Sequence, residues 1–214
     1  MCTVSQLCET LAQAADMRLE DVKKYARALI NSGDLPKAVG RSVPKVDMRH
    51  RAKLILAIAA SDRPSDCVVP MRERYEAVSR FNQTALSAGE ALANEMEELA
   101  RESFEGFQKW TYSVVEVSRG GLPLVKFRIN ENLKHYAAFK DGEQPEFLGG
   151  PWLETSVLKI EEYHRENAGK GLPVSAFIPG GVLINAAFGS KGAAWDAMAR
   201  AKKLHAENQA TDSE

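Results

Sequence analysis

Two helical patterns stand almost end to end near the start of the chain, and so short a connection obliges them to fold back on one another. In the first, Leu7, Cys8, Leu11, Ala12 and Ala15 recur at the spacing of one helix face, and Thr3 or Ser5 can cap its start. The second runs from about Leu19 to Asn31, with Leu19, Val22, Tyr25, Ala26, Leu29 and Ile30 on one side and "NSGD" stopping it at Gly33. The following "LPKAVGRSVPKV", Leu35 to Val46, has two prolines, a glycine and no helical period, so it reads as a loop or short hairpin. Asp47 then caps a third helix through about Ala60, whose Leu54, Ile55 and Ile58 close a small three-helix core.

Charge is concentrated in this same region. The whole chain of 214 residues has a formal net charge of -1, which implies no partner by itself. Residues 1 to 63, however, carry 11 Lys/Arg against 7 Asp/Glu, and residues 23 to 53 carry nine basic residues against two acidic ones. A basic sub-region on a near-neutral chain is the electrostatic footprint of a polyanion partner, although solvated helix faces produce similar runs.

Spacing separates these two readings. Helix-turn-helix units follow a pattern of required contacts over roughly twenty residues. Setting its late core position on Val22 places Leu11, Ala12, Ala15, Met17 and Tyr25 on the other constrained positions, and all five types suit them. Ala12 is the most telling, because a large side chain there would force the crossing helices apart. The departure is Asp16, which stands where glycine is usual; aspartate is one of the few other residues that enters the left-handed region at small cost.

In this register Arg18, Leu19, Glu20, Lys23, Lys24 and Arg27 face outward, and four of the six are basic. The stretch "AADMRLEDVKKYARALINSGD" thus resembles the helix-turn-helix family of DNA-binding domains, and "ALINSGDLPKAVGR" looks like its winged subset, over roughly residues 3 to 60. The resemblance implies sequence-specific binding of double-stranded DNA through Arg18, Lys23, Lys24 and Arg27, with Lys37, Arg41 and Lys45 on flanking backbone or minor groove. Glu20 suits the positive end of the helix dipole; it would repel phosphates but can accept from a cytosine amine. Such modules read paired half-sites as two-fold assemblies, which implies a homodimer.

The remainder reads as a small α+β unit. "SDRPSDCVVP" has linker composition, and Arg72 to Phe107 is patterned as one long helix or two joined near Phe81. Within it Ala85, Gly89, Leu92, Met96 and Leu99 alternate at four and three, the rhythm of either a helix-pairing seam or a stripe packed on the chain's own sheet. "WTYSVVEVS" and "LVKFRIN" form a hairpin across Gly120 and Gly121, and "HYAAF", "SVLKI" and "VSAFI" add short strands. Pro179, Gly180 and Gly181 open a short apolar helix, and "AAWDAMARAKKL" a last one with Trp195, Met198 and Ala199 on one face. The expected organisation is a helix-turn-helix domain over 1–62, linker and long helix over 63–109, a mostly antiparallel α+β domain over 110–207 and a frayed tail over 208–214.

Other chemistry finds little footing. Cys2, Cys8 and Cys67 have neither an even count nor metal-ligand spacing, and His50, His135, His164 and His205 are scattered. "GKGLP" and "GSKG" lack the order of a phosphate-cradling loop, and no nucleophile-elbow or zinc-protease motif occurs. The longest apolar run, "LILAIAA", is too short to span a bilayer, so the expectation is a cytoplasmic protein without cofactor, metal or enzymatic activity. The first reading is a transcription regulator whose C-terminal part meets a ligand, a protein or a second subunit. The other is a phage-related interaction or assembly protein whose helical N-terminal part binds protein.

Overall fold

In a computed structural model the described residues are 2–40, 42–77, 86–101, 104–111, 113–119, 123–129, 132–137 and 175–211. They form a mixed α+β architecture of helices and small antiparallel sheets. The N-terminal helices are bounded where local chemistry puts their ends. Helix α1 (Val4–Ala14) begins at Thr3, whose hydroxyl accepts from the Gln6 N–H while the Gln6 side chain accepts from the Thr3 N–H. It ends in a four-residue turn, where Met17 N–H donates to the Ala12 carbonyl at 2.9 Å and Asp16 adopts φ 51°. Asp16 has the one positive φ among the described non-glycine residues, at the position where its residue type costs least.

Helix α2 (Leu19–Asn31) turns Val22, Tyr25, Ala26 and Leu29 inward against α1. Gly33, at φ 81°, reverses the chain so that Asp34 N–H donates to the Leu29 carbonyl at 2.8 Å. A tight bridge between Val39 and Ser42 follows, turning at Gly40. Strand β2 (Lys45–Val46) then pairs antiparallel with β1 (Cys2–Thr3). Helix α3 (Met48–Ala60) starts at Asp47, which accepts from the His50 N–H, and buries Leu54 and Ile55 while Ile58 remains partly covered.

Beyond Ala60 the pattern is broken more finely than the sequence predicts. A short 3-10 turn, Pro64–Asp66, enters α4 (Val68–Tyr75), and Cys67 between them is buried. Helix α5 (Ala88–Ala100) is capped by Ser87 and Glu90, and α6 spans Phe104–Thr111; residues 78–85, including Phe81 and Ala85, lie outside the described residues. A capping box at Ser87 starts a new helix, so 72–107 is not one continuous rod. Gly89, Leu92, Met96 and Leu99 are buried, and α5 packs on α3, on α4, whose Tyr75 ring meets Gly89, and on α7 (Gly180–Phe188), so helices of the same chain cover this stripe.

Strands β3 (Val114–Ser118), β4 (Leu124–Ile129), β5 (Asn132–Ala137) and β6 (Ser175–Pro179) form an antiparallel sheet in the order β5-β4-β3-β6. The expected β3–β4 hairpin is present, with Val115 opposite Phe127, whereas Trp110 and Thr111 belong to α6 rather than to the strand. Gly120 and Gly121 and the segment "SVLKI" fall outside the described residues. Val115, Val117, Val125, Phe127 and Ile178 are buried in the core, while Glu116 and Lys126 pair at 3.4 Å on the other side of the sheet. Gly180 permits the join to α7, because a Cβ there would sit 1.6 Å from the Trp110 carbonyl oxygen.

The last helix, α8 (Lys191–Thr211), is rotated from its predicted face: Ala194, Ala197 and Ala201 are buried, while Trp195 is 59% exposed and Ala199 is exposed. Alanines let α8 approach its neighbours closely, which a tryptophan on that side would prevent. The helix also continues to Thr211, past the predicted fraying point at Glu207.

One buried cation ties the two ends of the chain together. Arg51, 4% exposed on α3, donates through Nη1 to the carbonyls of Ala186 and Ala187 at 2.7 and 2.6 Å, at the negative end of α7. Thr10 Oγ1 donates to the Gly189 carbonyl at 2.6 Å beside it. The buried core is accordingly continuous from Cys2 to Ala201. Truncating Arg51 to alanine orphans both carbonyls, and we expect a loss of about 3 kcal/mol, read from the urea midpoint at constant slope.

Candidate nucleic-acid interface

Helix α2 separates its apolar and charged positions sharply. Arg18, Glu20, Lys24, Arg27 and Asn31 are exposed, and Lys23 lies on the flank, half-buried. The structure therefore brings Arg18, Glu20, Lys23, Lys24 and Arg27 onto one continuous surface. Lys37 and Lys45 are exposed on the segment between α2 and α3; Arg41 lies outside the described residues.

The cations on this surface are largely paired. Arg18 and Lys24 both reach the Asp21 carboxylate, at 2.7 and 2.9 Å, and Lys23 reaches Glu20 at 2.9 Å. The hydrogen bond from Lys23 holds the Glu20 carboxyl below its ordinary range, and those from Lys24 and Arg18 do the same for Asp21. Both acids are ionised at neutral pH, so the surface carries four cations against two anions. Exposed i,i+3 pairs are weak and open readily for a stronger partner. Among the described residues Arg27 has no ion-pair partner, which leaves it the most available cation of the set.

Three anchors hold this helix in place. At its start is the Asp16 turn; in its middle the buried Tyr25 hydroxyl donates to the Ser61 carbonyl at 2.7 Å; at its end Asp34 gathers three donors. Arg72 Nη2 donates to Asp34 at 2.8 Å, Ser32 Oγ at 2.7 Å and Lys53 Nζ at 3.1 Å, joining the end of α2 to α3 and α4. Burial by itself would raise the Asp34 pKa, but hydrogen bonds from Arg72, Ser32 and Lys53 outweigh it and hold the carboxyl below its ordinary value.

Sequence reasoning missed Asp21 as the hub of the surface pairs and Asp34 as the clamp, since both look like ordinary helix-end acids. It also left Arg63 in the supposed linker. Arg63 is exposed at the entry to the 3-10 turn that packs on α2, and adds a further cation near this surface.

Other chemistry is sparse among the described residues. No group of three or more His, Cys, Asp or Glu could hold a metal ion, and no helix is long and apolar enough to cross a membrane. Cys2, Cys8 and Cys67 are free and buried, and burial pushes the Cys8 thiol up to about 11, so it stays protonated at neutral pH. Comparisons with protein-family models, curated proteins and solved structures find no match to this chain.

Two predictions follow from the anchors of α2. Asp16→Val forces a β-branched side chain into φ 51° and costs about 1–2 kcal/mol, whereas Asp16→Gly stays within about 0.5 kcal/mol of the parent in thermal unfolding. The lowered pKa of Asp34 gives stability that is complete well above its unfolded value of 3.8 and is lost as pH falls through the folded value. Asp34→Asn should therefore lower stability by about 2 kcal/mol at pH 7 and flatten the acid limb below about pH 4, measured by urea titration at several pH values.

Proposed function

We propose that this protein is a sequence-specific DNA-binding regulator that reads duplex DNA with α2 of a helix-turn-helix unit. The observation that carries the reading is the exposed face of α2, where Arg18, Lys24 and Arg27 stand clear of the buried Val22, Tyr25, Ala26 and Leu29 and Lys23 flanks them. A helix anchored at three points can enter a major groove without further ordering, which favours affinity. Arg27 and Lys24 reach base edges or phosphates, and Glu20 selects against bases that offer no donor. The bridge at Val39–Ser42 and the β1–β2 pair support the winged variant, with Lys37 and Lys45 beside the flanking backbone. Two copies on paired half-sites complete the reader, and the C-terminal sheet serves a protein or ligand partner.

A second reading, an interaction or assembly protein that binds protein through the same helices, is favoured by the internal pairing of Arg18, Lys23 and Lys24 with Asp21 and Glu20. Alternating, mutually compensated charges suit a protein surface as well as a phosphate one.

A salt titration separates them. Duplex affinity should fall with a slope of about 0.9 in log K per log salt for each phosphate neutralised, and Lys24→Ala with Arg27→Ala should lower that slope by about 1.8 and weaken binding about tenfold or more. Glu20→Gln should tighten non-specific binding by removing a repelling charge. Fluorescence anisotropy on genomic fragments reads all three. Absence of any shift at low salt, or an unchanged slope in the double variant, removes the DNA reading.

A further inference from the structure

A groove of about 430 Å³ lies between the turn after α1, helix α3 and strand β6. Leu11, Ala14, Met17, Ile55, Ile58 and Val182 give it apolar walls, and Asp16 and Arg119 are the charged side chains that line it. One side is the outer edge of the sheet, since β6 is the terminal strand among those described.

The register of β6 fixes which backbone groups face that edge. Gly180 N–H donates to the Ser113 carbonyl at 2.8 Å, directly across the β3–β6 pairing. Hydrogen-bonded and wide pairs alternate in an antiparallel ladder, so Ile178–Val115 and Ala176–Val117 exchange bonds while Phe177, Ser175 and Pro179 occupy wide positions. The N–H and C=O of Phe177 and Ser175, and the Pro179 carbonyl, are thus directed away from β3. They have no backbone partner among the described residues. The Phe177 side chain is 63% exposed, while Ile178 turns into the core.

An edge of alternating donors and acceptors, repeating every two residues or about 7 Å, is the complement of another extended backbone. A compact small molecule satisfies one such group and leaves the others. The apolar wall under Ala176 and Ile178 takes alternate side chains of an added strand, and the charges set its polarity. Arg119 is fixed through Nε to the Ala59 carbonyl at 2.8 Å and through Nη1 to Asp62, and its Nη2, without a partner among the described residues, can meet an acidic group. Asp16, on the facing turn, repels an acid placed there.

We propose that β6 and this groove form a docking site for an extended apolar peptide segment of a partner protein, carrying an acidic residue at its Arg119 end and adding to the sheet as a further strand. This site does not depend on whether α2 reads DNA.

The test uses the full chain and a synthetic, end-blocked hexapeptide of alternating valine and threonine ending in glutamate. Saturable binding should slow amide exchange at Phe177, whose N–H has no partner among the described residues. N-methylation of the peptide amides facing β6 should weaken binding about tenfold or more, and replacing the glutamate by lysine about threefold. Phe177→Pro removes the outward donor without breaking any hydrogen bond among the described residues, and an edge strand accepts proline, so it should cost about tenfold while Phe177→Ala stays within about threefold. Circular dichroism checks the proline variant; were it unfolded, the N-methylated peptide on the parent protein decides. The proposal is overturned by equal binding of the N-methylated peptide, by no saturation at millimolar peptide, or by protection that spares β6. Octanoate protecting the groove where the peptide does not would make it a small-molecule site. Concentration-dependent dimerisation that Phe177→Pro abolishes would give the edge to a second copy; either result overturns the proposal.

Discussion

The guanidinium of Arg51 on the last carbonyls of α7 is the contact on which the rest of this structure depends. Among the described residues it is a buried cation facing no carboxylate, stabilised by two carbonyl acceptors and the negative end of a helix, and its Nε finds no partner there. A buried charge is tolerated only where such acceptors are rigidly presented. The core around α7 presents them: Ala186 and Ala187 are buried, Phe188 stacks on Phe107 with ring centroids 5.5 Å apart, and Thr10 holds the Gly189 carbonyl that follows. Helix α7 joins β6 at Gly180, so Arg51 connects the N-terminal helices to the sheet through only two elements. Movement of α3 relative to α7 must break this contact and expose the charge.

The surface of α2 follows the opposite rule. Its charges lie in water, its pairs are local, and their arrangement adds little to the fold. What holds the helix is beneath and around it: Val22 and Leu29 in the core, Tyr25 on Ser61, and Asp34 under Arg72 and Lys53. The outward residues are consequently free of structural duty, which is the condition under which a surface can be specialised for a partner.

How much of this was legible depended on whether the cause was local. The ends of α1, α2 and α3 were readable because Thr3, Gly33 and Asp47 act within four residues of themselves. The φ of Asp16 was readable because the turn it resembles usually places glycine there, and aspartate is one of the few other residues that accepts a left-handed backbone. The candidate surface on α2 followed from the same periodicity. Arg51 was not legible, since a lone arginine in "MRHRAK" looks like any solvated cation and its acceptors lie some 135 residues away. The face of α8 misled for a related reason. Hydrophobicity favours burying Trp195, but close packing selected Ala194, Ala197 and Ala201.

The groove beside β6 shows how these constraints combine. Helix α3, tied to α7 through Arg51, forms one wall of the groove between the α1–α2 turn and β6, and the outer edge of β6 has no backbone partner among the described residues. The same turn carries Asp16 and Met17 into the groove wall and starts the helix whose outer face is charged. A strand added at β6 would therefore press on the residues that fix where α2 begins. Occupancy of the edge and the orientation of α2 share one turn of four residues, in which Asp16 holds a left-handed φ of 51° at the cost its residue type bears most easily.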